Sequence, residues 1–449
     1  MTRTESTARR EPEDSRTPPF SGLDERLQAR LKVLTVCLLL GALAAGIAPG
    51  MIVSDTKLDL TANPLGFMER ALHLWDASYF GQIQNQAYGY FFPNGPFHLL
   101  FDLLDMPDWL IQRLWMAVLL IAAFTGVYKV AEALGIGTVN TRILAGLAYA
   151  LAPRVLTLLS YNSAELQPML LMPWVLLPLI LGAQRGRSPA HMALLSGVAY
   201  LLCGGTNAAS ELAVLVVPGL YLLTRANGPR KWRLIAWWAV ALVLASSWYI
   251  VPLFLMSRYV FSFMPFTEDA AVTTGVTSLL NALRGTSNWM GFLPDQGNTA
   301  LPSGAELSTT PWLIAVTAMV AGLGLAGLIN RRTPERLFLI TTLLTGTAII
   351  VAGFTGDLTG PFAGTMRELF DGVLSPFRNV HKFDALVRLP VVLGLAHLPV
   401  VVARDRADRQ GTPVPARVRR AVAGGTGVRF LDTLVPTATV GNAPAGGFA

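Results

Sequence analysis

The chain has 449 residues, of which 52% are hydrophobic and only 14% are charged, and its mean hydropathy is +0.48. Soluble domains carry about a quarter charged residues, so the composition excludes an ordinary soluble enzyme and indicates a polytopic membrane protein. The net charge of +7 comes from basic residues in short loops between apolar runs. That pattern fits orientation in a membrane and argues against nucleic-acid binding.

The amino-terminal segment 1–32 is polar and rich in Arg, Glu, Ser and Pro, which predicts a disordered cytoplasmic extension. The uncharged run 33–53 is too long for the apolar core of a signal peptide, so we expect a retained membrane anchor. The two cysteines, Cys37 and Cys203, lie within apolar runs and have neither disulfide nor metal-site spacing.

Hydropathy predicts an all-α polytopic membrane protein with about ten spans, within a range of eight to twelve, and with additional helices in its outer loops. The predicted spans are 33–53, 109–131, 142–159, 166–183, 190–204, 208–224, 234–256, 311–329, 337–353 and 386–403. Arg-rich loops alternate with three long segments, 54–108, 257–310 and 354–385, which we place outside the cytoplasm. The membrane domain is thus 33–403, and the polar segment 404–449 is predicted to be a disordered tail.

Three charged residues, Asp55, Lys57 and Asp59, follow the first predicted span directly. A carboxylate there could take the proton from an attacking hydroxyl, and a cation could balance a phosphate leaving group. The same charges would also mark any helix end that meets the membrane interface, so the residues alone leave both interpretations open.

An aromatic and amide-rich stretch covers 75–90. Its residues Gln84, Asn85 and Tyr88 could stack on sugars and bind their hydroxyls, or the stretch could be an interfacial re-entrant helix. No partner at metal-ligand spacing accompanies His73 or His98, so we expect no metal site.

Two later outer segments also carry charged candidates. Glu268 begins an acidic pair that is followed by Arg284, and these residues either provide a base and substrate contacts or belong to a solvated loop. The second segment precedes the last span and contains Arg378, His381, Lys382 and Asp384. Its basic residues run against the positive-inside bias, so we favour an anion site for a lipid phosphate.

Four further charges lie within or beside predicted spans: Arg113, Arg154, Glu165 and Glu211. Each is expected either to reach the interface or to face an internal cavity, and Glu211, just after a break at Asn207, is the better cavity candidate.

Several long motifs follow one another along the chain: SDTKLDL with FGQIQNQAYGYFFPNGPF, RILAGLAYALAPR, FTEDAAVTTGVTSLLNALRG and LSPFRNVHKFDALVRLPVVLGLAHL. In this order they resemble the amino-terminal membrane part of the mycobacterial AftD-type α-(1→3)-arabinofuranosyltransferases. The resemblance covers about residues 33–403.

This resemblance implies a GT-C helix bundle in the plasma membrane that acts on the extracytoplasmic side. It implies decaprenyl-phosphoryl arabinofuranose as donor, the arabinan of arabinogalactan or lipoarabinomannan as acceptor, inversion at the anomeric carbon, and neither nucleotide nor catalytic metal. By the same resemblance, Asp55 is the general base or orients the acceptor, and Glu268 is its rival. The donor phosphate would be bound by Lys57, Arg378, His381 and Lys382. The remaining candidates for substrate binding are Asp59, Gln84, Asn85, Tyr88, Arg284 and Asp384.

The chain departs from the family in length, because family members continue into large extracytoplasmic regions. We therefore expect either a truncated or frame-shifted product or a fragment. Two other functions stay open: a transporter or flippase of a lipid-linked saccharide, which predicts charges at mid-bilayer and symmetric broken helices, and an inactive membrane fragment.

Overall fold

The computed structural model describes residues 21–55, 57–76, 86–260, 266–295, 298–357 and 359–410. The candidates Gln84 and Asn85 lie outside the described residues, as do most of both predicted tails.

The described residues form eighteen α-helices and one antiparallel pair of two-residue strands. The helices are α1 Ser21–Ala45, α2 Leu58–Ala62, α3 Pro64–Ala71, α4 Asn94–Asp102, α5 Asp108–Ala133, α6 Val139–Ala150, α7 Pro153–Leu158, α8 Ser163–Ala183, α9 Pro189–Leu201, α10 Ala208–Leu223, α11 Pro229–Met256, α12 Ala270–Thr274, α13 Leu279–Arg284, α14 Pro302–Thr309, α15 Pro311–Ile329, α16 Arg336–Val351, α17 Ala363–Asp371 and α18 Asp384–Gln410. The strands are β1 Pro294–Asp295 and β2 Asn298–Thr299.

Six helices in the described part of the chain are long and apolar enough to cross a membrane: α1, α5, α8, α11, α15 and α18, the last extended to begin at Val380. Three shorter apolar helices, α9, α10 and α16, coincide with further predicted spans. The helical membrane fold class is therefore confirmed, whereas the predicted count of about ten spans is not.

The predicted span 142–159 is broken into α6 and α7. Pro153 is the first residue of α7, and Ala152 before it has an extended backbone with φ −61° and ψ 150°. Proline lacks an amide hydrogen and disfavours a helical conformation in the residue before it. Here the extended backbone of Ala152 separates α6 from α7. The break places Arg154 at the start of a separate short helix.

The predicted break near residue 205 is confirmed, because α9 ends at Leu201 and α10 begins at Ala208. Gly204 has a φ of +93°, which glycine adopts without the strain that a side chain would cause. The Asn207 side chain then accepts a hydrogen bond from the Ser210 amide at 3.1 Å and caps α10.

Helix α18 lies at the centre of the bundle and packs against α15, α16 and α6. Glycines allow α15 to approach it closely: a Cβ atom built on Gly327 would collide with the carbonyl of Gly394 on α18. Small residues at a helix crossing let the two backbones touch, which is a common way to pack helices in a membrane.

Three prolines interrupt the hydrogen-bond ladder of α8: Pro168, Pro173 and Pro178. Each proline lacks the N–H that would bond the carbonyl four residues earlier. The Met169 carbonyl accepts instead from the Tyr149 hydroxyl at 2.8 Å, and the Ala164 carbonyl accepts from Thr206 Oγ1 at 3.4 Å. Neighbouring side chains therefore satisfy these freed carbonyls, as an apolar environment requires.

Candidate functional site

Asp55 lies at the amino-terminal end of α8. Its carboxylate accepts a hydrogen bond from the backbone N–H of Ser163 at 2.9 Å and another from the Ser163 hydroxyl. A carboxylate at this end of a helix is stabilised by the unpaired N–H groups and by the positive end of the helix dipole. The contact fixes Asp55, 108 residues away in sequence, against the first turn of α8.

A small cleft opens beside Asp55, and its walls include Lys57, Tyr90, His98 and Trp115. Its volume is about 20 Å³, which is room for about one water molecule. The Lys57 ammonium lies 6.0 Å from the centroid of the Tyr90 ring, within range of a cation–π interaction. Burial lowers the pKa of His98, so this wall of the cleft presents a neutral imidazole near neutral pH.

A cluster of charged side chains surrounds Glu165, which lies in the first turn of α8. Its Oε1 is 2.8 Å from Nη2 of Arg154 and 3.3 Å from Nε2 of His381, and its Oε2 is 3.9 Å from Nζ of Lys382. The Glu165 side chain is only 11% exposed, and the three basic side chains are less exposed still. One buried carboxylate thus faces two cations, Arg154 and Lys382, and the His381 imidazole, so one positive charge is left for a further anion.

The Arg154 guanidinium is only partly satisfied. The side chain is 2% exposed, yet among the described residues Nε and Nη1 have no hydrogen-bond partner. His381 Nδ1, also buried, is likewise without a partner there. Unpaired buried donors are costly, and an arginine offers several N–H groups in a geometry that matches phosphate oxygens. The cluster can therefore bind an anion through groups that are already desolvated.

The loop that carries Glu268 packs against the segment before α18. Asn379 Nδ2 donates to Glu268 Oε1 at 3.0 Å, and Trp289 Nε1 donates to Asn379 Oδ1 at 2.7 Å. In the same contact, Arg378 donates to the Thr267 hydroxyl. Glu268 also interacts electrostatically with Lys382, so the structure brings this sequence-predicted acid to the edge of the basic cluster.

Two predicted substrate-binding residues are held by contacts inside the fold. Arg284 is 3% exposed and donates to the Leu307 carbonyl at 2.6 Å and to Thr317 Oγ1 at 2.9 Å, joining α13 to α14 and α15. Asp384 is 1% exposed and forms an i,i+4 ion pair with Arg388 at 2.9 Å. These contacts occupy hydrogen-bonding groups of both side chains, and a role for either residue in binding stays a prediction.

Two other candidates lie nearer the surface. Asp59 pairs with Arg70, and both side chains are substantially exposed. Tyr88 is half-buried, and burial raises the pKa of its phenol, so the hydroxyl stays protonated at neutral pH. Sugar binding by Tyr88 and substrate contact by Asp59 both stay predictions.

From the sequence, Arg154 and Glu165 were noted only as charges within or beside predicted spans, and neither was assigned to the site. Their signal was present, because an ionisable residue within an apolar stretch commonly has a functional role. What the sequence did not contain was the contact between Glu165 and His381, which are 216 residues apart.

Comparison with known proteins identifies the family. A family model described as "Alpha-(1->3)-arabinofuranosyltransferase, N-terminal GT-C domain" matches residues 39–449. Two curated relatives named alpha-(1->3)-arabinofuranosyltransferase are similar: one from Mycolicibacterium smegmatis is 44% identical over 352 residues, and one from Mycobacterium tuberculosis is 43% identical over 360 residues. These alignments cover 78% and 80% of this chain but only 25% of each relative, so the chain spans about a quarter of their length.

A solved structure gives the same result for the fold. The cryo-EM structure of the arabinofuranosyltransferase AftD from mycobacteria aligns with a TM-score of 0.67 and 38% sequence identity. The alignment covers 91% of this chain and 27% of that one. The motifs, the helical membrane bundle and these matches agree, and the chain belongs to the α-(1→3)-arabinofuranosyltransferase family, in the region of its amino-terminal GT-C domain.

Proposed function

We propose that this chain carries the transfer site of an arabinofuranosyltransferase. In this proposal the donor is decaprenyl-phosphoryl arabinofuranose, and the acceptor is a hydroxyl of cell-wall arabinan, in arabinogalactan or lipoarabinomannan. The activity named for the relatives supports the reaction class, and the observation that carries the proposal is the buried basic cluster around Glu165.

The basic cluster suits the phosphodiester of such a donor. Arg154 would bind phosphate oxygens through Nε and Nη1, which lack partners among the described residues, and Lys382 would add a second positive charge. Glu165 would act as a positioning residue, because it already holds Arg154 and Lys382 on one side and leaves their remaining donors to the ligand. The predicted contribution of Arg378 and His381 fits their places beside this cluster.

The proposed reaction is a single displacement. The acceptor oxygen forms a bond to the anomeric carbon while the bond from that carbon to the phosphate oxygen breaks, so configuration inverts. The acceptor proton passes to Asp55, and the electron pair of the broken bond leaves with decaprenyl phosphate, whose charge the basic cluster stabilises. Two hydrogen bonds from Ser163 hold the Asp55 carboxylate in place, and Glu268 is the rival base.

We further propose that this end of the bundle faces the outside of the plasma membrane. The opposite end carries Arg185, Arg187, Arg230, Lys231 and Arg233 in its loops and helix starts. Basic residues concentrate on the cytoplasmic side of membrane proteins. A donor without a nucleotide suits the outer side, where a lipid phosphate is available within the membrane itself.

The full chain, reconstituted with decaprenyl-phosphoryl arabinofuranose and an arabinan oligosaccharide, tests these roles. Asp55→Asn should lower kcat about a hundredfold or more, the usual effect of removing a general base, with donor binding unchanged. Arg154→Gln should instead weaken donor binding, measured separately with decaprenyl phosphate so that the result does not depend on turnover. Arg154→Lys, which keeps the charge, should restore part of that binding.

Asp105→Asn is the matched control, because it removes an exposed carboxylate of the same outer segment that has no proposed role, and it should keep the wild-type rate. If Asp55→Asn turned over at the wild-type rate, Asp55 would not be the general base, and Glu268 would be the remaining candidate. Equal decaprenyl phosphate binding by Arg154→Gln and wild type would overturn the phosphate site. A transporter of lipid-linked saccharides is less well supported, because the charged cluster lies at helix ends instead of at mid-bilayer.

A further inference from the structure

A second cavity lies at the other end of α8, far from the candidate site. It has a volume of about 470 Å³, within the range of sites that bind small ligands. It lies where α5, α8 and α10 end and α11 begins. Since α8 has 21 residues and rises about 1.5 Å per residue, about 30 Å separates the two sites along this helix.

The polar wall of this cavity is basic. Arg225, Arg230 and Lys231 line it together with one carboxylate, Glu335, which leaves an excess of two positive charges. Arg225 forms a two-pronged ion pair with Glu335, so its charge is already balanced. The other two cations face no carboxylate at hydrogen-bond distance among the residues that the structure describes.

The bonds that these two cations make are all to neutral oxygens. Arg230 donates to the Gly182 carbonyl at 2.9 Å and also to the Arg187 carbonyl. Lys231 Nζ donates to the carbonyls of Leu223 and Arg225 at 3.1 and 3.0 Å. These bonds stabilise the carboxyl-terminal ends of α8 and α10 and hold both cations in place, but they do not neutralise them.

The start of α11 adds to the positive potential. Its first residue is Pro229, and no side chain caps the helix. The amino-terminal end of a helix carries a partial positive charge. A 28-residue helix that begins at the cavity wall therefore supports anion binding by the two cations beside it.

The deeper wall of the cavity is apolar and is formed by Ile180, Leu222 and Leu234, each 1% exposed. The cavity therefore has a basic outer wall and an apolar deeper wall, and it lies at the end of a helix bundle in a membrane. This arrangement matches the boundary between the head group and the acyl chains of a lipid. We propose that this cavity binds the head group of an anionic phospholipid from the cytoplasmic leaflet, with its phosphate at Arg230 and Lys231.

This proposal does not depend on the transfer reaction, because the two sites share α8 but no side chain. The ligand chemistry, a phosphate, could also come from free inorganic phosphate. The apolar deeper wall favours the lipid, because a lipid can place the start of its acyl chains there and inorganic phosphate has no apolar group.

The test is binding of phosphatidylglycerol to the purified full chain in neutral detergent, followed by native mass spectrometry and by thermal unfolding. Ala226→Glu places a carboxylate on the cavity wall at an exposed position and removes none of the bonds described above. It should weaken phosphatidylglycerol binding about tenfold, as one unfavourable charge contact of about 1.4 kcal/mol would. Phosphatidylcholine, which has no net charge, should bind the wild type weakly.

Gln410→Glu is the matched control, because it adds the same charge at an exposed position at the end of α18, outside the cavity. It should bind phosphatidylglycerol as the wild type does. Equal binding by Ala226→Glu and wild type, or equal binding of the two lipids, would overturn the proposed site. Stabilisation by millimolar inorganic phosphate that matches the effect of the lipid would overturn the lipid assignment.

Discussion

Substituting Glu165 by glutamine should destabilise the protein strongly, although the two side chains have nearly the same shape. The carboxylate lies 2.8 Å from Arg154 Nη2 and 3.9 Å from Lys382 Nζ. With an effective dielectric constant of about 20, these distances correspond to attractions of about 6 and about 4 kcal/mol. The variant would leave Arg154 buried without its partner carboxylate, and Lys382 would keep only its interaction with Glu268.

The decrease in the free energy of unfolding is smaller than the sum of these two attractions, because the variant also avoids the cost of burying a carboxylate. That cost is several kcal/mol, so the net decrease in the free energy of unfolding should be about 3–5 kcal/mol, as for other broken buried pairs. Reversible unfolding of the reconstituted chain in mixed detergent micelles, followed by tryptophan fluorescence, measures this difference.

Asp59→Asn provides the comparison, because its ion pair with Arg70 has side chains that are 48% and 31% exposed. Water and salt screen such a pair, and its loss should cost less than about 1 kcal/mol. If Glu165→Gln cost no more than Asp59→Asn, the basic groups around Glu165 would not be desolvated cations, and the reasoning behind the phosphate site would fail with it.

Two further predictions concern the bundle. Gly327→Ala should lower the free energy of unfolding by about 1–3 kcal/mol, because its methyl group would collide with α18. Gly322→Ala, on an open face of α15, should be neutral or slightly stabilising. Equal effects of the two substitutions in the same unfolding assay would show that α15 and α18 are not in close contact. The proposed orientation can be tested in a variant without Cys37 and Cys203. A membrane-impermeant maleimide should label Ser54→Cys in intact cells, and it should label Arg331→Cys only after the cells are permeabilised. The reverse pattern would contradict the proposed orientation.

Much of the helical architecture could be predicted because it depends on local sequence. The predicted span 311–329 coincides with α15, and 234–256 ends with α11 at the same residue. The prediction of 142–159 as one span was wrong. Pro153 favours a break there but does not require one, because α8 continues through three prolines. Span number is harder to predict, because helices as short as α9 are apolar enough for a membrane but shorter than its thickness.

The site was predicted less completely, for a physical reason. His381 and Lys382 were identified by a local anomaly, a concentration of basic residues in a segment predicted to lie outside the cytoplasm. Glu165 was noted only as a charge within or beside a span, and its contact with His381 was not predicted, because an ion pair across 216 residues leaves no mark in a single sequence. Asp384 shows the opposite case: its i,i+4 spacing to Arg388 predicts a pair within one helix and could have argued for a structural role.

The prolines of α8 have a consequence for how the site keeps its shape. The backbone hydrogen bonds of a regular helix are all internal, so they do not themselves oppose its rotation about its axis. In α8, Tyr149 and Thr206 bind carbonyls on particular sides of the helix, so rotation would break bonds to two neighbours at once. The interruptions that weaken this helix as an isolated segment therefore fix its angular setting in the bundle, and with it the direction in which Glu165 points.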